Sequence, residues 1–323
     1  MSEYSEVLAT TRFVVENARY VMIDPERVQA VAEQIASAPP PAFAFDCVRH
    51  PCGPDPSVAN IVLVLDALNF SFWPDPGQPR WRVTYRGETA NGYWALVAAL
   101  RRALDEGVPL ADASFLAEIS DAEVADLLRG EGTIPMLPER AAALREVGRV
   151  LRARYHGAFV NAIEAADRDA RMLVRLLARD FSSFNDVASY GGYPVYFYKR
   201  AQICCGDLHG MSQGAWWGNL SHLDHLTAFA DYKVPQVLRE LGVLVYTEAL
   251  ARTVDERRLL PAGSPGEVEI RAATVWAVEM IRRALDRRGI HRRAVEIDWY
   301  LWELGQRLPG TARPYHLTRT IYY

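Results

Sequence analysis

Lysine is almost absent from this chain: of 36 basic residues, only Lys199 and Lys233 are lysine and the other 34 are arginine. Two readings of those survivors stand side by side, chance retention or positions that need a compact ammonium. Cysteine is scarce too. Cys47 and Cys52 lie five apart and Cys204 and Cys205 are adjacent, which is no zinc spacing, so four buried free thiols are expected. No apolar run reaches membrane length, since the longest, residues 58–73, is interrupted by Asp66 and Asn69. The opening "MSEYSEVLATTRFVVENARY" carries acids and arginines rather than a signal-peptide core, so a soluble, cytoplasmic protein is expected. A net charge of −4 argues against a grip on a long phosphate backbone, which needs a basic face. There is no internal repeat and no low-complexity tract.

What is present is helical periodicity. Residues 25–36, 93–107, 139–155, 169–181 and 267–288 each space apolar residues three and four apart, and 121–130 ends on Gly130 as a C-cap. Strand signal is local: 80–89 alternates Trp81, Val83 and Tyr85 with polar partners, and "FAFDC" (43–47) follows the stiff "PPP" at 39–41. The expected fold is mainly α with a small β element in the N-terminal third. It forms one domain over 1–323, with sub-lobes at about 1–165 and 166–323.

Six stretches can carry chemistry. "FDCVRHP" sets Asp46 and His50 four apart, an acid/base pair or the closing of a turn before proline. "NFSFW" gathers Phe70, Phe72 and Trp73, either as core or as a clamp for a flat heterocycle. "YPVYFYKRAQICCGDLHG" reads as a helix entered through Pro194, with Tyr198 beside the adjacent cations Lys199 and Arg200. Those cations are a solvated pair or a point charge and fork for one phosphate. His222 and His225 lack a third zinc ligand and read as an outward pair. In "FADYKVPQ", Pro235 at a helix N1 position makes Asp231 or a neighbour an N-cap. Alternatively, Asp231 takes the N–H groups of a guanine-like edge while Phe229 stacks on its face. In "EIDWYLWELG", Asp298 opens a helix among Trp299, Tyr300 and Trp302, either as a packed cap or as a catalytic carboxylate in a ring-lined pocket.

The order of residues 259–305, with a glycine-containing hairpin, a long helix, a loop and an Asp-led aromatic helix, is similar to helix-hairpin-helix base-excision glycosylases. Together, "FDCVRHP", "NFSFW", "GYWALVAALRRALDEGVPL", "YKRAQICCGDL", "FADYKVPQVL" and "EIDWYLWELG" resemble the queuosine salvage family, the queuosine 5′-phosphate N-glycosylases. The resemblance implies a helix-hairpin-helix-like helical fold, a nucleotide substrate, water as co-substrate, and neither metal nor cofactor. It implies no nucleic-acid, membrane or obligate protein partner. Asp298 matches the family's catalytic carboxylate, Phe229 and Asp231 match residues that hold the base, and Trp302 and Glu303 match a pair that is Tyr-Asp in some relatives. Lys199 is a phosphate candidate on chemical grounds, His50 a candidate acid for the leaving base, and Tyr198 and Trp73 candidate binding groups. The rival functions are a DNA-repair glycosylase and a non-catalytic nucleobase carrier. The former is opposed by the acidic charge and by the absence of lysine after Lys233.

Overall fold

The computed structural model describes residues 5–37, 45–75 and 77–323. Among them are fourteen α-helices and three two-stranded antiparallel sheets, a mainly α architecture. The first part of the chain forms α1 (Glu6–Glu16), β1 (Val21–Ile23), α2 (Pro25–Ser37), α3 (Ser57–Ala67), β2 (Arg82–Tyr85), β3 (Glu88–Asn91) and α4 (Gly92–Asp105). The middle adds α5 (Ala113–Glu118), α6 (Asp121–Leu127), α7 (Leu137–Tyr155), α8 (Phe159–Ala165), α9 (Ala170–Asp180), β4 (Val187–Tyr190) and β5 (Tyr193–Tyr196). The last part comprises α10 (Lys199–Met211), α11 (Lys233–Glu240), β6 (Leu244–Tyr246), α12 (Glu248–Asp255), α13 (Pro265–Asp286) and α14 (Ala294–Gln306).

Two apolar clusters hold these elements. The larger runs from α1 through α3, α4, α7, α9 and α10, and the smaller joins α2 to α11, α13 and α14. In α3 every residue from Ala59 to Ala67 is buried, so that helix has no solvent face and no amphipathic stripe. Strand β1 pairs with the distant β6, with Met22 opposite Val245, tying the N-terminal segment to the C-terminal part. No helix among the described residues is long and apolar enough to cross a membrane.

The expected helices at 25–36, 93–107, 139–155, 169–181 and 267–288 form, and 80–89 makes the β2–β3 hairpin. Other expectations need correcting. Tyr193–Tyr196 is a strand, not the start of a helix: Gly191 and Gly192, both at positive φ, close a tight hairpin with Tyr190 opposite Tyr193. Helix α6 ends at Leu127 with Leu128 as its cap. Gly130 serves packing instead, because a Cβ there would lie 2.2 Å from the Arg82 carbonyl. Residues 39–41, 43 and 44 lie outside the described residues, and Phe45–Cys47 is loop and turn rather than strand. Cys47 and Cys52 are not free thiols but a disulfide. The Asp46 carboxylate accepts the Val48 N–H and its carbonyl accepts the His50 N–H, and the resulting turn leaves the two Cα atoms 5.3 Å apart. Cys204 and Cys205 are free and buried.

Candidate active site

A cavity of about 1120 Å³, counting its open mouth, lies where α4, α10, α11 and α14 converge with the loop after α3 and the C-terminal tail. Four-residue spacing aims α10 and α14 into it. Helix α10 contributes Lys199, Ile203 and Asp207, and α14 contributes Asp298, Trp302 and Gln306. Gly305 lets α14 approach α11, since a Cβ there would press on the Lys233 stem at 3.0 Å.

Rings form the walls. Trp302 meets Tyr93 edge-on with centroids 5.9 Å apart and Trp299 at 5.8 Å, while Tyr232 and Tyr315 lie 4.9 Å apart. Trp73 lines the cavity and is backed by the Arg319 guanidinium 3.6 Å from its ring centroid. Aromatic walls keep bulk water away and strengthen any charge interaction inside.

The polar groups are unusual for so dry a place. Asp298 is 4% exposed, and its Oδ1 accepts the Phe229 N–H at 2.9 Å. Burial, then the nearby charge of Asp231, raises its carboxyl well above the ordinary range, opposed by the Phe229 N–H and Lys199. It does not open α14, which starts at Ala294 with the Glu296 carboxylate accepting the Arg293 N–H; Asp298 is in the second turn. Asp231 caps α11, its Oδ1 accepting the Lys233 and Val234 N–H groups at 2.8 and 2.9 Å. Pro235 is the third residue of that helix rather than its first. Burial also raises the Asp231 carboxyl, again with Lys199 opposing. Lys199 is 5% exposed, and its Nζ reaches only the Asn69 carbonyl at 3.5 Å. Burial pushes its pKa down, while Asp231, Asp66 and Asp298 pull it up. The ammonium therefore sits in the field of three carboxylates.

A model of the family described as queuosine salvage protein matches residues 49–323. This chain belongs to the queuosine salvage family. A protein of Sphaerobacter thermophilus named queuosine 5′-phosphate N-glycosylase/hydrolase is 52% identical over 317 residues, 98% of this chain and 97% of that one. Proteins of the same name from Bos taurus and Schizosaccharomyces pombe are 36% and 33% identical; they cover 97% and 94% of this chain and are covered over 97% and 92% of their own length.

In this chain the cavity gathers Asp298, Phe229, Asp231, Trp302, Lys199 and Trp73 from the residues singled out in sequence. Both lysines line it, with Lys233 Nζ 3.1 Å from Gln236 Oε1 and 5.6 Å from the Tyr315 ring centroid. Three candidates lie elsewhere. His50 stands behind Tyr93: its Nε2 is 2.9 Å from the Tyr93 hydroxyl and its Nδ1 3.0 Å from the Asp46 carbonyl. A carbonyl only accepts, so Nδ1 carries the proton, and burial lowers the imidazole pKa and keeps it neutral. Tyr198 precedes α10 in a left-handed conformation (φ 48°) and stacks on Tyr196, outside the cavity lining. Glu303 points outward, its side chain 53% exposed, and pairs with Arg307 at 3.8 Å. Arg200 cannot share a phosphate with Lys199, because its guanidinium is buried and donates to the carbonyls of Asp66, Ala67 and Ser183. His222 and His225 meet edge-to-face at the surface and are not among the residues that line the cavity.

Sequence reasoning did not single out Tyr93, Asp207, Tyr315 or Tyr323, all of which line the cavity. Tyr93 and Asp207 lie inside motifs that had been noticed as wholes. Tyr315 and Tyr323 sit in an aromatic tail, which is folded back by the Leu260 N–H bonding to the Leu317 carbonyl and the Ser71 N–H to the Tyr323 carbonyl.

Proposed function

We propose that this chain hydrolyses the N-glycosidic bond of queuosine 5′-phosphate, releasing queuine in the cytoplasm for reuse in tRNA modification. The observation that carries this reading is a desolvated carboxylate, Asp298, joined through the Phe229 backbone to a ring-walled cavity. N-glycoside cleavage passes through an oxocarbenium-like ribosyl cation, which a carboxylate in a low-dielectric site stabilises strongly. In its ionised form Asp298 meets that cation and orients the attacking water. The nearby Lys199 ammonium favours this form.

Phe229 supplies a stacking face for the base. Both capping bonds of Asp231 use Oδ1, so Oδ2 takes an N–H of the guanine-like edge. A 7-deazapurine has carbon at position 7, so the leaving base is not activated by protonation there, and its charge spreads into the pyrimidine ring. Lys199, between the carboxylates, is the cation to meet that charge. His50 acts on the cavity through the Tyr93 hydroxyl. The 5′-phosphate is met by Lys233 and the exposed Arg80, both on the cavity lining. This moves the expected phosphate role from the deeper Lys199 to the other lysine.

The test incubates the protein with queuosine 5′-phosphate beside unmodified purine nucleotides and follows free base by chromatography. Release of queuine alone is expected. No release at stoichiometric protein over hours leaves a nucleobase carrier and removes the hydrolase reading.

A further inference from the structure

Asp207 is the one cavity carboxylate that the proposed mechanism leaves idle. It is 1% exposed, and its Oδ2 has no hydrogen-bond partner among the described residues. Its place on α10 two turns beyond Lys199 brings it to the same cavity wall. Burying a carboxylate without partners costs several kcal/mol, and it is tolerated where something other than the fold completes the group. Lys199 is the cation whose charge it feels. The neighbouring residue is Gly206, where a Cβ would lie 3.8 Å from the tip of the Phe229 ring. Helix α10 thus runs close to the proposed stacking platform, and Asp207 and Phe229 line the same cavity. The carboxylates around that platform then divide the work by position: Asp298 is held on the Phe229 backbone, Asp231 caps α11, and Asp207 faces in from α10.

The substrate has a matching group. Queuine carries an aminomethyl arm at carbon 7 of its ring, and the secondary amine in that arm is an ammonium at neutral pH. We propose that Asp207 is the counter-ion of this ammonium and sets a preference for 7-deazaguanines with a cationic substituent at carbon 7. The inference rests on the hydrolase reading for its substrate class. It gives the unpartnered oxygen an N⁺–H donor and the ligand cation a desolvated anion, the stronger kind of hydrogen bond. Burial, then Asp66, pushes the Asp207 carboxyl well up. A bound cation reverses that balance.

Two nucleotides separate charge from shape: the 5′-phosphates of 7-aminomethyl- and 7-cyano-7-deazaguanosine. The wild-type kcat/KM should favour the aminomethyl compound by about 10- to 100-fold, the worth of one hydrogen bond to a charged group. Asp207→Asn should cut that ratio to within a few-fold of one, and Asp207→Glu should restore part of it. Equal losses on both nucleotides in Asp207→Asn, or an unchanged ratio, overturn the counter-ion role. Calorimetry of the wild type with the two free bases needs neither turnover nor a folded variant, and equal affinities there also overturn it. A wild type that hydrolyses neither nucleotide sinks the hydrolase reading, while the free-base affinities still decide the role of Asp207.

Discussion

Two buried charge clusters lie within this molecule, and they are built to different standards. Around α13 every charge is answered. Arg271 grips Asp186 with two bonds of 2.9 and 2.6 Å and gives its Nε proton to the Ala230 carbonyl. Glu269 accepts the Arg19, Tyr20 and Val21 N–H groups and the Tyr190 hydroxyl; Glu267 accepts the Tyr323 hydroxyl and the Gly263 N–H. At the cavity and behind its lining the standard drops. Among the described residues, the fully buried Asp66 has no ion-pair partner and only the Asn69 and Cys204 side chains to ease its charge, Asp207 lacks a hydrogen bond at Oδ2, and Lys199 Nζ reaches a single carbonyl at 3.5 Å. The clusters touch, since the Lys199 N–H donates to Asp186 at 3.1 Å, so the difference is not one of depth. A satisfied network fixes a fold, whereas an unsatisfied one keeps strong fields available for a ligand.

The largest expected effect tests the satisfied side. Arg271→Met keeps the volume but strands the buried Asp186 carboxylate, and should lower unfolding free energy by about 3–5 kcal/mol. Urea titration measures this, and a loss under about 1 kcal/mol would mean that the pair is no keystone. Asp298→Asn tests the other side. An amide oxygen still accepts the Phe229 N–H, so stability should hold or rise, because burial penalises a carboxylate charge and an amide carries none. Turnover should fall roughly 10²- to 10³-fold, the usual cost of losing one preorganised electrostatic group. A variant with near-normal kcat would make the cavity cluster structural after all.

That asymmetry also explains what could be read without coordinates. Helices such as α9, which buries Leu173, Val174, Leu176 and Leu177 on one stripe, announce themselves through periodicity. The all-buried α3 does not, and in "YPVYFYKRAQ" the tyrosines on one side read as helix, whereas two glycines at positive φ just before them, Gly191 and Gly192, make a hairpin. At the site, Asp298, Asp231, Phe229 and Trp302 were legible because they recur in a family pattern. Asp207 was not, because its meaning lies in having no partner, and a missing hydrogen bond is a three-dimensional fact. Tyr315 and Tyr323 were hidden for a related reason, as contacts far along the chain bring the tail to the cavity.

The smallest effect expected is the sharpest probe of the contrast, because it reads the cost of the unsatisfied cluster directly. Burial raises the Asp66 carboxyl to about 7, against the pull of Lys199 and Arg200. The folded pKa lies above the unfolded value of about 3.9, so the folded state holds the proton more tightly. Its stabilising contribution is complete below the unfolded value and drains away as pH rises through about 7. Asparagine has the same shape and never ionises. Relative to the wild type, Asp66→Asn should therefore gain stability progressively from about pH 4 to pH 7 and level off above; the interval between the two pKa values caps the gain at about 4 kcal/mol, and relaxation around the buried charge brings it to on the order of 1–3 kcal/mol. Unfolding midpoints across that range show the trend. A stability difference that stays flat with pH would place the Asp66 charge in good company, and the line drawn between the two clusters would then have to move to exclude it.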